Sequence, residues 1–399
     1  MHKKGAPTNP FTFGDLALDE AFTDRDDELD ELVSDMLNGQ NVLVYAPRRY
    51  GKSSLVLRAA QEAMQQKALI GYCDLMKTPT KERFAAALAK TIYADIASLV
   101  GQAFERAAEL FRGLRIHPTM EVDSDGTLRF SFQPGRRKGE IDETIERLLE
   151  LLGELAAERK RRVVIVFDEF QEVLALDPSF PNLMRAVFQT QPEVSHVYLG
   201  SKRHLLERIF SDKNEPFWRS AKQLEIGVIP PSHFAPFLRA RFEGSGKRIG
   251  EEATERLLSA TDGHPYATQE LAYFVWELVA PGGEAAVAEV EEGLTRVLRS
   301  EHNHFVLLWD DAPRPQRLAL LALADEPTRR IYSADYASRH ELPATPTLQT
   351  ALAGLSNKEL AGRNRDGEYS IVEPFLAEWL RREERGAATG LVPQREDRA

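Results

Sequence analysis

Apolar positions change their spacing repeatedly along the chain, and each change marks an element. From Arg25 to Leu37, the residues Leu29, Leu32, Val33 and Leu37 share one helical face, and Asn38-Gly39 follows as a stop. The short run Asn41 to Tyr45 predicts a strand, which leads through a loop into a helix from Lys52 to about Gln66. Ala68 to Leu75 is almost continuously apolar, as a strand covered on both faces of a parallel sheet would be. Helical spacing fills Thr80 to Leu114. Between Met120 and Phe132 the period becomes two. Leu128, Phe130 and Phe132 alternate, and Asp125-Gly126 offers the turn of a hairpin. A helix from about Ile141 to Lys160, a strand from Arg162 to Phe167, a helix from Asn182, a strand from Val197 to Gly200, a helix from His204 to Phe210 and a strand from Leu224 to Val228 complete the series. Strands alternating with helices in this way predict a three-layer α/β domain around a parallel sheet.

After Pro230-Pro231 the pattern is helical, with segments at about Ser232–Glu243, Glu251–Ala260, Pro265–Val279 and Ala286–Arg299. Arg314 to Arg382 reads as three helices and two short strands, the order of a winged helix-turn-helix. Its third helix, Thr345 to Leu355, would enter a DNA groove, and Leu360 to Ile371 with Asp366-Gly367 would form the wing. The expected domains are an arm over 1–20, an α/β core over 21–230 with a hairpin insertion near 120–133, an all-helical lid over 231–300, a winged helix over 301–385 and a polar tail over 386–399.

One segment gives the core a chemistry. Asn41 to Tyr45 runs into Ala46-Pro47-Arg48-Arg49-Tyr50-Gly51-Lys52-Ser53-Ser54, an apolar strand entering a loop that ends in Gly-Lys-Ser at a helix start. Amides at a helix N-terminus lack intrahelical partners and point at a bound phosphate, helped by the helix dipole. Gly51 lets the backbone approach closely, Lys52 would reach the β- and γ-phosphates, and the Ser53 hydroxyl would bind Mg²⁺. Ala46 stands where the stricter motif has glycine, which the loop tolerates if that φ stays negative. The core is therefore expected to be a P-loop NTPase core, binding ATP with Mg²⁺. A second strand, Arg162 to Phe167, ends in Asp168-Glu169, at the strand ends that line the ligand crevice of a parallel sheet. Asp168 would hold the metal through water, and Glu169 would orient or deprotonate the attacking water. The alternative for Asp168 is an ordinary helix N-cap.

These segments, with others in the same order, resemble the archaeal-type ATPase family, which lies between the AAA+ and STAND P-loop NTPases. The matching elements are Asn9-Pro10-Phe11, Phe22 to Leu29, the loop ending at Leu55, DEFQEV from Asp168, LGSKRHLLERIF from Leu199, PFW at Pro216, DGHPY at Asp262 and VEPFLAEWLRR from Val372. The resemblance implies that Arg25 to Leu29 packs beside the adenine, that Ser201 senses the γ-phosphate and that Asp262-Gly263-His264-Pro265 touches the base from the lid. It also implies that an arginine near the fifth strand, Arg219 ahead of Arg203 and Arg208, reaches a neighbouring subunit's γ-phosphate. Each has a plainer alternative: an acid-rich helix start, a turn, a helix stop followed by proline, and a solvated arginine.

Composition narrows the partners. The 399 residues carry a formal net charge of -11, which repels phosphate polymers unless cations gather locally. The helix from Thr345 holds no Lys or Arg before Lys358, so DNA is allowed but not favoured; Arg329, Arg330, Arg363 and Arg365 could make a few contacts. Arg136-Arg137-Lys138 is the other basic run. The single cysteine, Cys73, excludes an intrachain disulfide and fits a reducing cytoplasm. No run is long enough to cross a membrane, the nine histidines form no zinc set, and no nucleophile elbow is present. The expected function is an ATP-binding and ATP-hydrolysing switch, coupled to lid and winged-helix rearrangement or to a homo-oligomer or protein partner. The alternatives are a DNA-associated ATPase of replication, repair or mobile-element handling, and a non-hydrolysing nucleotide-dependent scaffold.

Overall fold

A computed structural model describes residues 8–14, 25–97, 111, 114, 118–122, 128–132, 139–364 and 367–388. The hairpin turn at Asp125-Gly126, the basic run Arg136 to Lys138, Phe22 to Asp24, Arg365, Asp366 and the segment beyond Ala388 lie outside the described residues. The chain forms two compact units. One contains residues 25–46 and 52–226; the other contains residues 47–51 and the chain from 227 onward, together with the N-terminal segment.

The first unit runs α1 (Asp26–Leu37), β1 (Val42–Tyr45), α2 (Lys52–Gln65), β2 (Leu69–Asp74), α3 (Lys81–Thr91), β3 (Thr119–Val122), β4 (Leu128–Ser131), α4 (Glu140–Arg159), β5 (Val163–Asp168), α5 (Val173–Leu176), α6 (Phe180–Phe188), β6 (Val194–Gly200), α7 (Arg203–Ser211) and β7 (Lys222–Glu225). Five strands form one parallel sheet in the order β2-β5-β6-β1-β7. β6 thus lies between the strand that feeds the Gly-Lys-Ser loop and the strand that ends in Asp168, so both loops emerge at the same edge of the sheet. β3 and β4 pair antiparallel as the expected hairpin, and Phe130 packs on Tyr93 and Phe111.

Phe167 and Phe170, on either side of the acidic pair, are fully buried in a cluster with Phe188, Tyr198, Phe210 and Phe217. Each such ring stabilises the fold by roughly 1.5–3 kcal/mol through burial, and the two together pin the turn that carries Asp168 and Glu169. β7 begins two residues before the expected strand and ends at Glu225. It is an edge strand bonded only to β1, with Lys222 and Gln223 exposed, so its apolar run does not mark its limits.

The second unit contains α8 (Pro231–Gly244), β8 (Arg248–Ile249), α9 (Glu251–Thr261), α10 (Pro265–Leu278), β9 (Glu284–Ala285), α11 (Val287–Asp310), α12 (Arg314–Asp325), α13 (Ala334–Arg339), α14 (Thr345–Asn357), β10 (Ala361–Arg363), β11 (Tyr369–Ile371) and α15 (Pro374–Ala388). Lid and winged helix share one hydrophobic core, from Phe234, Leu257 and Leu271 to Leu320, Leu352 and Phe375. α11 continues through residue 300, and α15 is a helix that the strand-and-turn pattern did not predict; it buries Phe375, Leu376, Trp379 and Leu380. Asn9-Pro10-Phe11 is anchored here: Phe11 packs on Phe242 at 5.2 Å, Asn9 donates to the Tyr273 carbonyl at 3.1 Å, and Arg241 donates to the Pro10 carbonyl at 2.8 Å.

Candidate functional site

The loop after β1 meets the requirements of its sequence. Ala46 is buried, keeps out of the positive-φ region and donates its N–H to the Gly200 carbonyl at 3.4 Å, so the absence of glycine at this position costs no strain. Gly51 has φ 82°, a conformation that a side chain would strain. α2 begins at Lys52, with no acidic residue in its first turn to oppose an anion.

Within the α/β unit, β1, β5 and β6 deliver a connected set of side chains. The Lys52 ammonium, nearly buried, donates to Glu169 Oε1 at 3.2 Å. Glu169 Oε2 accepts from Gln171 at 2.5 Å and from the Ser201 hydroxyl at 3.1 Å. Burial raises the Glu169 pKa, but the Lys52 charge and the hydrogen bonds from Gln171, Lys52 and Ser201 outweigh it and hold the carboxyl below its ordinary value. Glu169 itself has φ 52°, a left-handed conformation uncommon outside glycine, between the buried rings of Phe167 and Phe170. Asp168 Oδ1 accepts the Glu169 N–H at 2.9 Å, and Oδ2 accepts the Tyr72 hydroxyl. Burial, then the Asp168 charge, push the Tyr72 hydroxyl pKa well up, against a smaller pull from Ser53. Sequence reasoning named Lys52, Ser53, Asp168, Glu169 and Ser201, and the structure brings them together. It missed Tyr72, which carries no motif of its own, and gave no role to Gln171, which lies within the DEFQEV segment.

The other named residues of this unit lie elsewhere in it. Arg25 is buried and pairs with Glu28 at 3.3 Å. Arg203 pairs with Glu207 and Glu225, and Arg208 with Glu215. Arg219, exposed and at φ 52°, lies 5.0 Å over the ring of exposed Trp218.

The second unit holds residues 47–51 by their side chains. Arg48 pairs with Glu359 at 2.9 Å and Arg49 with Glu373 at 3.6 Å, both carboxylates from the winged helix. Arg49 also lies 4.4 Å over the Tyr266 ring. Tyr50 meets His264 edge-on at 4.5 Å, and burial, then Asp262 and Glu373, push its hydroxyl up to about 12. His264 caps α10 by accepting the Ala267 N–H at 3.2 Å. Burial, then Arg49, lower its pKa to about 3, so the ring is neutral. Pro265 takes the first position of α10, where its missing N–H costs nothing. Asp262 and Gly263 both have positive φ, and a side chain at Gly263 would come within 2.3 Å of the Ile229 carbonyl. Chain geometry therefore dictates the Asp-Gly-His-Pro order.

Glu270 on α10 is buried beside this group. Burial, then Glu301 and Glu373, push its carboxyl up to about 8 against the pull of Arg49. Between its ordinary 4.5 and this value the folded chain holds a proton that the unfolded chain has lost, so stability falls as pH rises across that window. Glu270→Gln is expected to stabilise the protein at pH 8 by on the order of 2 kcal/mol and to add nothing near pH 5. Thermal unfolding at the two pH values checks this; an equal gain at both would contradict it.

A parallel sheet in this order, a Gly-Lys-Ser loop opening a helix and a carboxylate pair at the end of β5 define a P-loop NTPase core, followed here by a helical lid and a winged helix. Residues 22–271 match the model of an ATPase domain found predominantly in Archaea, and the chain belongs to that family. Residues 303–382 match a probable winged helix domain. Among solved structures, the Walker-type ATPase PABY2304 of Pyrococcus abyssi is similar over 93% of this chain and 99% of its own, with 18% identity and a TM-score of 0.64. The ORC1 protein of Aeropyrum pernix in complex with DNA is similar over 94% and 96%, at 15% identity and a TM-score of 0.46. The RuvB Holliday junction branch migration motor of Thermotoga maritima is similar over 94% and 97%, at 13% and 0.41. No curated protein matches the chain. Among the described residues no helix is long and apolar enough to cross a membrane.

Proposed function

We propose that the chain is an ATP-dependent switch that binds ATP with Mg²⁺ and hydrolyses it slowly or under stimulation by a partner. The network joining Lys52, Glu169, Gln171 and Ser201 carries this reading. Amides from Ala46 to Ser54 would cradle the phosphates, and Lys52 would neutralise the β- and γ-phosphates. A triphosphate competes with Glu169 for the Lys52 ammonium; on binding it would draw the lysine away and leave Glu169 free to orient a water in line with the γ-phosphorus. Ser201, already at the carboxylate, would report the γ-phosphate. Arg25 and Pro265 would act on the base side of the nucleotide. Ser53 and Asp168, both acting on the Tyr72 phenol, offer hard oxygen donors, a set that fits Mg²⁺. Bound there, the ion would neutralise charge on the phosphates.

Coupling to the lid and winged helix is favoured by the side chains of residues 47–51. The loop that would wrap the phosphates is tied through Arg48 and Arg49 to Glu359 and Glu373, and through Tyr50 to the start of α10. Those carboxylates compete with phosphate for the two arginines and repel it directly. The double variant Glu359→Gln/Glu373→Gln is therefore expected to bind ATP about 3–10-fold more tightly, the scale of two partly exposed ion pairs. Isothermal titration of both proteins checks the sign, and weaker or unchanged binding would remove the coupling.

Arg219 remains the favoured trans finger because Arg203 and Arg208 are engaged with carboxylates, while Arg219 rests on an exposed tryptophan. A homo-oligomer or a protein partner follows from that role. For DNA, the exposed residues of α14, Thr345 to Asn357, include no cation, Lys358 pairs with Asp311, and Arg363 is turned onto Tyr369 and the Gly367 carbonyl. DNA binding that falls steeply with salt would favour the DNA-associated reading instead. Tight ATP binding with no turnover under any stimulus would favour a scaffold.

A further inference from the structure

Tyr72 lies on β2, which is in parallel register with β5; its neighbour two residues on, Asp74, is the register partner of Asp168. The strand alternation directs Tyr72 and Asp74 to one face at the end of the sheet where the phosphate loop emerges. The backbone at this point is fixed from the side by Thr91, whose hydroxyl donates to the Tyr72 carbonyl at 3.0 Å. From there the phenol reaches across to β5 and donates to Asp168 Oδ2, and the Ser53 side chain at the start of α2 lies close enough to act on the same phenol. The other carboxylate oxygen, Oδ1, accepts the Glu169 N–H at 2.9 Å. Both oxygens of Asp168 are therefore fixed, one by backbone and one by Tyr72.

We infer that Tyr72 is a positioning residue for the divalent cation that accompanies the nucleotide: its hydroxyl sets the Asp168 carboxylate. The inference rests on the ATP-binding reading above. A carboxylate that accepts one hydrogen bond on each oxygen still has a lone pair free on each for the ion or its water. Without the phenol O–H, Asp168 keeps only the backbone contact on Oδ1, and its terminal torsion is free to turn Oδ2 away from Ser53. Asp168 then has to be ordered by the metal itself, and metal affinity falls by the cost of that ordering.

Tyr72→Phe removes this one O–H and keeps the ring in its packing. The test uses the full chain with Mn²⁺ as the metal probe and ADP or a non-hydrolysable ATP analogue as the nucleotide. Free Mn²⁺ is read by electron paramagnetic resonance, and nucleotide binding is measured separately in the presence of EDTA. The expected result is about 5–20-fold weaker Mn²⁺ binding to the nucleotide complex, with metal-free nucleotide binding changed less than about twofold. In turnover, the metal concentration for half-maximal rate should rise in parallel while the rate at saturating metal is kept. A role confined to packing would lower both kinds of binding together, or neither. Wild-type and Tyr72→Phe proteins with the same Mn²⁺ affinity would overturn the positioning role alone. A wild-type chain that takes up no nucleotide would overturn the reading beneath it.

Discussion

Replacing Lys52 with alanine is expected to weaken ATP binding by about 100-fold or more. The ammonium is nearly buried at the first residue of α2, and removal of one member of a buried charge pair costs about 3–5 kcal/mol. The same change leaves Glu169 in its half-buried position with only Gln171 and Ser201 as partners. The Lys52 charge is the largest influence lowering that carboxyl, so in the variant its pKa rises. A depressed carboxylate pKa stabilises the fold above the unfolded value near 4.5 and is lost as pH falls through the folded value. Lys52→Ala therefore loses stability chiefly at neutral pH, and the gap to wild type should narrow in acid. Titration with ATP, and unfolding followed at pH 7 and pH 4, read the two effects separately. Unchanged binding would remove Lys52 from the phosphate site.

Glu169→Gln is expected to bind ATP and to turn it over about 10²–10⁴-fold more slowly, the span attributed to a positioned general base. Glutamine keeps the shape and one carbonyl oxygen, which can still accept from Lys52 while the amide nitrogen takes the place of the oxygen beside Ser201, so the packing of the turn is spared. It cannot take a proton from water. Single-turnover measurement with the nucleotide in complex separates this from a binding defect. A variant that hydrolyses at the wild-type rate would assign the base to another group, and one that no longer binds would place Glu169 in binding rather than chemistry.

The β1–loop–α2 unit and the strand ending in Asp168-Glu169 were legible because each couples an apolar run to polar residues at a fixed offset. Ser201, which follows β6 directly, came from the family resemblance and not from such a local signal. Elements whose limits are set by neighbours were read less well. β7 is an edge strand with two exposed residues at its start, so the hydrophobic run points two residues too late. α11 crosses the polar stretch Ser300 to His304 because its buried face resumes at Phe305, about two turns beyond the point where the pattern fades. α15 holds five charged residues from Glu378 to Glu384 that mask the buried Phe375, Leu376, Ala377, Trp379 and Leu380.

The braces around the acidic pair were not legible for a different reason. Tyr72 precedes Asp168 by 96 positions, and only the parallel register of β2 with β5 makes them neighbours. Arg48 and Arg49 read from sequence as loop cations beside phosphates. Their pairing with Glu359 and Glu373, more than 300 residues away, depends on the winged helix being folded into one core with the lid. The conformational demand at Gly263 is different again. It could be guessed from a Gly at a helix stop two residues before Pro265, but the reason is the Ile229 carbonyl, which only the fold brings there.

The most direct measurement is equilibrium binding of ATP to the purified full chain with Mg²⁺ present, followed by calorimetry and repeated with Lys52→Ala. The account predicts saturable binding by wild type with one nucleotide per chain, and its loss in the variant. Heat of dilution alone from the wild-type chain, with adenosine and guanosine triphosphates each carried to millimolar concentration, would contradict it.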